Sequence, residues 1–283
     1  MSRLLKHLFL FLLAAVAVPS VAQVRTFVWQ GTQREYLLYE PAGREGAVPV
    51  MFFLHGLGDN IERCSEEMHF DSLAACYGWC MVVPQALKVR GSSMWNAGLG
   101  GNADDAGFLM ALLDSLSEAG IVNADSVFFT GFSMGGFMTH RMAIEYGDRI
   151  TACAPVSGLI AFELAEYVPV APVRLMHIHG TSDEVVGWDG NSLFFGTIGI
   201  SVDSLSRFWT EWNNCEGLST VDSIPNRVDD GLRFVRHSYG GGDAEFLLLE
   251  VVGGRHDWYS GTASHDIDYF DEIHRFFTKR DEK

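Results

Sequence analysis

The chain has 283 residues, of which 48% are hydrophobic and 20% charged, and its formal net charge is −16. The apolar and aromatic content excludes a disordered or collagen-like chain, and the length is sufficient for one large α/β domain without a metal or disulfide staple. Because 36 acidic residues outnumber 20 basic ones, we expect no nucleic-acid partner and no stable membrane anchoring.

The first residues have the layout of a secretory signal peptide. Arg3 and Lys6 precede an unbroken apolar run of 11 residues, and small residues then follow up to Ala22. The run is shorter than the roughly 20 apolar residues that span a bilayer. We therefore expect residues 1–22 to be cleaved and residues 23–283 to form a single domain that is secreted or periplasmic. An uncleaved N-terminal anchor is the alternative.

Beyond this segment, short apolar runs alternate with segments of helical periodicity. The predicted strands are residues 26–29 and 34–40 (a hairpin), 48–55, 81–83, 127–130, 151–156, 174–179, 232–239 and 246–252. The predicted helices are residues 65–77, 103–119, 137–146, 201–212 and 266–277. This alternation indicates an α/β protein with a mostly parallel central sheet and helices on both faces.

A serine motif lies between a predicted strand and a predicted helix. Residues 131–135 read Gly-Phe-Ser-Met-Gly, which is G-x-S-x-G. The strand–turn–helix context is typical of a nucleophilic serine held on a strained turn. A serine hydroxyl is a poor nucleophile alone; it needs a base, and the base needs an acid to orient it. Ser133 is therefore the candidate nucleophile.

Candidates for the acid and the base follow later strands. Asp183 ends the segment His-Gly-Thr-Ser-Asp after one buried strand, and His256 follows the last strand. The carboxyl ends of parallel strands meet at one edge of the sheet, so both side chains are expected close to Ser133. Glu184 and Asp189 are the competing acids, and Asp183 fits the strand-end loop best.

An oxyanion formed at the serine needs hydrogen-bond donors. The N–H of Met134, directly after the nucleophile, is the first predicted donor. The second is expected from the loop His-Gly-Leu-Gly at residues 55–58. We predict the N–H of Leu57, with Gly58 as the alternative.

These motifs together resemble the α/β-hydrolase superfamily. Within it, they resemble the secreted polyhydroxybutyrate depolymerase and feruloyl esterase group, of the carbohydrate esterase family 1 type. Other segments that carry the resemblance are residues 54–56, 83–86, 104–109, 154–158, 179–183 and 253–258. The resemblance implies an α/β-hydrolase fold and a serine esterase without metal or cofactor. The sequence departs from the group at Gly187-Trp188 and at Met94, positions expected at the substrate rim.

The expected substrate is a carboxylic ester, with feruloyl or acetyl groups on plant cell-wall polysaccharide favoured. Hydroxybutyrate oligomers are the alternative within the same class. A serine peptidase and a non-catalytic binding protein on the same scaffold are less favoured interpretations, the latter because Ser133 and His256 are both present.

Three tryptophans are predicted to line the substrate pocket. Trp188 and Trp258 follow the predicted acid and base within a few residues, and Trp95 lies in a Gly/Ser-rich loop. Indole faces suit sugar rings and phenolic acyl groups. The pocket is expected where these loops meet, at the carboxyl edge of the sheet.

Five cysteines allow disulfides in an exported protein. If residues 65–77 form one helix, Cys64 and Cys76 lie about 18 Å apart and cannot bridge. We predict a Cys76–Cys80 pair, with two free thiols as the alternative. His177 and His179 share a strand face but lack a third metal ligand, so we assign them to the core.

Overall fold

The computed structural model describes residues 23–279, and the predicted signal peptide lies outside the described residues. Its strands are β1 (Val24–Trp29), β2 (Thr32–Tyr39), β3 (Val48–Leu54), β4 (Cys80–Pro84), β5 (Lys88–Val89), β6 (Ser92–Ser93), β7 (Val122–Phe132), β8 (Ala152–Val156), β9 (Arg174–Gly180), β10 (Asn191–Ser192), β11 (Gly196–Thr197), β12 (Gly217–Ser223), β13 (Arg233–Gly240) and β14 (Phe246–Val252). Its helices are α1 (Ile61–Met68), α2 (Phe70–Tyr77), α3 (Asp105–Glu118), α4 (Met134–Tyr146), α5 (Phe162–Ala165), α6 (Val202–Trp212) and α7 (Tyr269–Thr278).

Ten strands form one sheet in the order β1-β2-β4-β3-β7-β8-β9-β14-β13-β12. The strands from β4 to β14 in this order pair in parallel, and the two strands at each end pair antiparallel. The predicted mostly parallel sheet and the N-terminal hairpin are therefore confirmed. The carboxyl ends of β3, β7, β9 and β14 lie along one edge of the sheet, which positions the loops described below.

Both faces of the sheet are covered, which explains the continuous apolar run of β3. Phe52 and Leu54 face a core shared with α3, α4 and α6. Met51 and Phe53 face a second core shared with α1, α2 and α7. Successive side chains of a strand point to opposite faces, so a strand between two helical layers has no solvent-facing position. None of the helices in residues 23–279 has the length and apolar character needed to cross a bilayer.

The helix predicted at residues 65–77 is two helices, which corrects the prediction. His69 adopts a left-handed conformation with φ of 52° and separates α1 from α2. The turn reorients the chain so that Phe70 and Ala74 pack against the sheet. Residue spacing alone does not reveal such a turn, because the apolar positions on either side remain about one helical turn apart.

The predicted Cys76–Cys80 disulfide is wrong, since all five cysteines are free thiols. Cys76 is exposed on α2, a helix that packs on one face of the sheet. Cys80 begins β4 and its side chain is buried in the core on the opposite face. The sheet itself therefore separates the two sulfur atoms.

Two further differences concern a strand that was not predicted and the start of a helix. The edge strand β12 was not predicted, because its sequence Gly-Leu-Ser-Thr-Val-Asp-Ser is mostly polar. Helix α4 begins at Met134, three residues before the predicted start at Phe137. The earlier start places the N-terminus of the helix directly after Ser133.

Candidate active site

The turn between β7 and α4 holds Ser133 in a strained conformation. Its φ is 56° and its ψ is −120°, a region that residues with a Cβ atom rarely adopt. The Ser133 N–H donates to the Val156 carbonyl at 2.9 Å, which ties the turn to the end of β8. Because α4 follows at once, the serine lies at a helix N-terminus, where the helix dipole favours negative charge.

Close packing explains both glycines of the motif. A Cβ atom at Gly135 would lie 1.8 Å from the Leu54 carbonyl oxygen, and one at Gly131 would lie 2.6 Å from the Gly135 oxygen. Both distances are shorter than non-bonded atoms tolerate. Since Leu54 ends β3, the serine turn rests directly against the strand that leads into the 55–58 loop.

The structure brings Asp183 and His256 together. Asp183 Oδ2 accepts a hydrogen bond from His256 Nδ1 at 2.7 Å. Asp183 Oδ1 accepts from the N–H groups of Val185 and Val186 at 2.9 Å and 2.8 Å. The carboxylate is fully buried, whereas the imidazole is 13% exposed. This arrangement places the proton on Nδ1 and leaves Nε2 available to accept another.

The two competing acids lie elsewhere. Glu184 is exposed. Asp189 is exposed as well, and its carboxylate accepts from the backbone and side-chain nitrogens of Asn191. Of the three candidate acids, Asp183 is the one that contacts His256.

A cleft of about 630 Å3 opens at this edge of the sheet, and Ser133 and His256 both border it. Its lining is Gly56, Leu57, Gly58, Asp59, Arg63, Met94, Leu99, Phe132, Ser133, Met134, Phe137, Val185, Val186, Phe195, Ile198 and His256. The Ser133 hydroxyl has no hydrogen-bond partner among residues 23–279. Hydrogen bonds between a nucleophile and its base often form only when substrate is bound.

Backbone hydrogen bonding distinguishes the predicted oxyanion donors. The Gly58 N–H donates to the Ser93 carbonyl at 2.8 Å and is therefore occupied. Within residues 23–279 the N–H groups of Leu57 and Met134 have no acceptor, and both residues border the cleft. This geometry favours Leu57 over Gly58 as the second donor.

A buried histidine that the sequence analysis did not single out fixes the 55–58 loop. His55 Nδ1 donates to the Gly56 carbonyl at 2.8 Å, while its Nε2 accepts from the Ala86 N–H at 3.1 Å. Trp95 Nε1 donates to the His55 carbonyl at 3.0 Å. Burial lowers the pKa of His55, which keeps the ring neutral so that it can accept as well as donate.

The three predicted tryptophans do not border the cleft, which corrects the prediction. Trp95 is fully buried beneath the 55–58 loop. Trp258 is 8% exposed, and its ring packs against Phe53 and Phe270 in the core. Trp188 is half-buried and its Nε1 donates to Asp203 of α6. Large aromatic side chains gain more by filling the core than by lining a wet surface.

Other aromatic side chains take their place. Phe132, Phe137 and Phe195 border the cleft. Two of them flank the serine closely in sequence, a signal that was available from the motif. Met94, noted as a departure at the expected substrate rim, does border the cleft.

A buried ion pair anchors the loop that carries Met94. Arg34 Nη2 and Asp105 Oδ1 lie 2.7 Å apart, with the side chains 2% and 0% exposed. The other carboxylate oxygen accepts from the Asn96 N–H at 2.7 Å. The guanidinium also lies over the Phe108 ring at 3.9 Å. Removing either charge leaves the other buried without a partner.

We expect Arg34→Met to lower the free energy of unfolding by about 3–5 kcal/mol, because it strands a buried carboxylate. Urea denaturation followed by far-UV circular dichroism measures this loss. The double variant Arg34→Met with Asp105→Leu removes both charges and is expected to recover part of it. A single variant as stable as the wild type would contradict the assignment.

Three buried histidines lie behind the acid loop. His140, His177 and His179 are each 0% exposed. Burial lowers the pKa of His140 from 6.5 to about 3. It also lowers the pKa of His177 and of His179. All three rings are therefore neutral in the folded protein at neutral pH.

The free energy of unfolding should fall on acidification. In the unfolded chain these histidines bind protons below pH 6.5, whereas in the folded protein the buried rings stay neutral. Their contribution is complete above the ordinary pKa of 6.5 and is lost as the pH falls towards the folded values. His140, whose folded pKa is about 3, contributes a loss of about 1 kcal/mol between pH 6 and pH 5. Urea denaturation at both pH values should show this loss diminished in His140→Gln. Equal pH slopes for variant and wild type would contradict it.

The topology and the strained serine turn define the class of protein. A parallel sheet with a serine on the sharp turn between a strand and a helix is the α/β-hydrolase fold. The acetyl xylan esterase from Aspergillus awamori superimposes with a TM-score of 0.63 over 90% of this chain and 100% of that one, at 15% identity. At that identity the comparison supports the fold.

Sequence comparisons relate the chain to esterases within this class of protein. NocK from Nocardia uniformis, a protein named as a putative esterase, is 30% identical over 84% of this chain and 74% of its own length. A protein of Aspergillus terreus named as a probable feruloyl esterase C is 30% identical, over 67% and 72% of the two chains. A bifunctional acetylxylan esterase/xylanase of Neocallimastix patriciarum is 27% identical over 56% of this chain. The chain spans 23% of that enzyme's length.

No protein-family model matches the chain. The chain nevertheless belongs to the α/β-hydrolase superfamily, in the family of carboxylic-ester hydrolases that includes the feruloyl and acetylxylan esterases.

Proposed function

We propose that the protein is a serine esterase that hydrolyses feruloyl esters of plant cell-wall polysaccharide. The observation that carries the proposal is a large cleft, lined mainly by apolar side chains and bordered by both Ser133 and His256, with His256 hydrogen-bonded to Asp183. Family membership supports ester hydrolysis, and the lining of the cleft supports an aromatic acyl group.

In the first half of the reaction, Ser133 Oγ attacks the ester carbonyl carbon and His256 Nε2 takes the hydroxyl proton. Asp183 stabilises the imidazolium that forms. The carbonyl oxygen becomes negative and is bound by the N–H groups of Leu57 and Met134. The bond to the sugar oxygen then breaks, and the imidazolium returns its proton to the leaving alcohol. The product of this half is an acyl-serine.

In the second half, water attacks the acyl-serine and gives its proton to His256 Nε2. The same oxyanion donors bind the second tetrahedral intermediate. Collapse releases the carboxylic acid and returns the proton to Ser133 Oγ. The site regains its starting state.

The size and the lining of the cleft favour an aromatic acyl group over acetyl. Three phenylalanines border it, and an acetyl group would leave most of its 630 Å3 unfilled. Pairing of aromatic rings contributes about 0.5–1.5 kcal/mol beyond burial. The polar side of the cleft, with Asp59 and Arg63, suits the sugar on the alcohol side.

We expect Phe195→Ala to raise KM for methyl ferulate by about 5- to 10-fold, because a lost ring contact of about 1 kcal/mol changes binding by this factor. KM for a small acetyl ester should change less than twofold. Phe194→Ala is the matched control, since Phe194 is 66% exposed on the same hairpin and does not border the cleft. Steady-state kinetics on both esters measure these KM values. Equal changes in KM for methyl ferulate in Phe195→Ala and Phe194→Ala would contradict the proposal.

A substrate panel tests the proposal as a whole. Methyl ferulate, acetylated xylan and hydroxybutyrate oligomers are each incubated with the protein, and the released acid is quantified. The highest kcat/KM is expected for the ferulate. Faster release of hydroxybutyrate would instead assign a polyester substrate. Absence of labelling of Ser133 by a fluorophosphonate probe would reject a serine esterase.

We further propose that residues 1–22 are removed on export and that residues 23–283 work outside the cytoplasm as one domain. The apolar run after Arg3 and Lys6 supports this. N-terminal sequencing of protein recovered from its native host should begin at Gln23. An intact Met1 terminus would contradict cleavage.

A further inference from the structure

A continuous hydrogen-bond chain runs through the protein core to the acid loop. Trp209 Nε1 donates to His140 Nδ1 at 3.2 Å. His140 Nε2 lies 3.3 Å from His177 Nδ1, and His177 Nε2 lies 3.2 Å from His179 Nδ1. His179 Nε2 then meets the Val186 carbonyl oxygen at 2.8 Å. Every ring nitrogen of the three histidines is engaged in this chain.

The two ends of the chain set its direction. An indole N–H can only donate, so it fixes Nδ1 of His140 as an acceptor. A carbonyl oxygen can only accept, so Val186 fixes Nε2 of His179 as a donor. A neutral imidazole has one donor and one acceptor. Each ring therefore carries its proton on Nε2 and donates it to the Nδ1 of the next histidine or, for His179, to the Val186 carbonyl. A protonated ring would set one N–H against another.

The chain connects the elements that carry the proposed triad. His140 lies on α4, the helix that begins directly after Ser133. His177 and His179 lie on β9, which leads into the acid loop. At its far end, the N–H of Val186 donates to Asp183 Oδ1 at 2.8 Å. The residue whose carbonyl ends the chain thus also binds the carboxylate.

His179 would otherwise compete for the same carboxylate. Its Nε2 lies 3.9 Å from Asp183 Oδ2, the oxygen that accepts from His256. The titratable groups that act on the three buried rings are one another, Asp183 and His256. With its proton directed to Val186, His179 makes no hydrogen bond to the acid.

We propose that this histidine chain is a positioning device for the catalytic acid. It holds the Val186 carbonyl, and through Val186 the Asp183 carboxylate, in register with α4. It also reserves Asp183 Oδ2 for His256. Trp209, His140, His177 and His179 are positioning residues, since they act through the acid loop and do not border the cleft. The inference rests on the proposed function for its catalytic consequence.

The first test separates hydrogen-bond polarity from packing at His140. Glutamine carries an acceptor oxygen and a donor nitrogen and so can continue the chain, whereas leucine carries neither. We expect His140→Leu to lower kcat for methyl ferulate by about 10-fold with little change in KM, as expected for a displaced catalytic group. His140→Gln should stay within about threefold of the wild-type kcat.

A second pair of variants tests the donor end. Trp209→Phe keeps most of the ring but removes the N–H, and it should lower kcat in the same way. Leu205→Ala, on the same helix α6 and equally buried, is the matched control for lost packing and should leave kcat unchanged. Equal losses in the control and in Trp209→Phe, or equal kcat values for the two His140 variants, would overturn the inference.

Nuclear magnetic resonance of the wild type tests the direction of the histidine chain even if these variants fail to fold. Long-range proton–nitrogen spectra of 15N-histidine protein should show three neutral rings with the proton on Nε2, unchanged from pH 5 to pH 8. A ring protonated on Nδ1, or a signal from the three that titrates, would overturn the chain. An inactive wild type with these three signals intact would reject the proposed function and leave the chain's polarity supported.

Discussion

Ser133→Ala is expected to lose ester hydrolysis almost completely while it folds normally. Without the hydroxyl there is no nucleophile for the acyl-serine, and kcat should fall by about 10⁵-fold. Alanine also fits the strained turn no worse than serine, so the melting temperature should change little. Measurement combines initial rates on methyl ferulate with thermal unfolding.

Ser115→Ala is the matched control for this variant. Ser115 is exposed on α3, away from the cleft, and its removal should leave the rate unchanged. Activity of Ser133→Ala near that of the control would mean that another group attacks the ester, and the assignment of the site would fail.

Gly135→Ala is expected to have the largest effect on stability of any single methyl group at the site. The added Cβ would lie 1.8 Å from the Leu54 oxygen, so α4 or β3 must move. We expect the free energy of unfolding to fall by more than about 4 kcal/mol. Single substitutions cause losses of this size only through a few mechanisms, of which a steric clash in a packed core is one. Urea denaturation of purified protein, or recovery of soluble protein where the variant does not fold, measures it.

Gly43→Ala separates this clash from the general cost of replacing a glycine. Gly43 has a φ of +70°, and no neighbouring atom lies within 4 Å of where an added methyl group would be. Its replacement should cost about 1–2 kcal/mol from backbone strain alone. If the two variants were equally stable, the close approach of the serine turn to β3 would not be what requires Gly135.

The sheet and the positions of the triad candidates were predictable for one physical reason. In a parallel α/β sheet, residues just after buried strands gather at one edge, so the G-x-S-x-G motif located Ser133 and strand position located Asp183 and His256. The roles of these residues remain predictions until the variants are measured. Leu57 was predicted ahead of Gly58 as the second oxyanion donor, and the fold adds a physical reason, because the Gly58 N–H donates to the Ser93 carbonyl.

The side chains that line the cleft and the pairing of the cysteines were not predictable from spacing. Trp258 lies two residues from His256, yet its ring turns into the core, because proximity in sequence does not fix which way a loop side chain points. Cys76 and Cys80 are likewise close in sequence, but they lie on opposite sides of the sheet. The partners of His140 lie on β9 and α6, far from it along the chain.

The segment that follows β9 divides into two parts with different freedom to change. Its first residues, Asp183 to Val186, are fixed by hydrogen bonds to the acid and to His179. Its later residues form the β10–β11 hairpin, whose Phe195 borders the cleft and is 64% exposed. Substitutions in the hairpin alter the wall of the cleft without touching the hydrogen bonds of the acid. A combinatorial library restricted to residues 193–198 is therefore expected to change which esters the protein accepts while it leaves the hydrogen bonds of the acid in place.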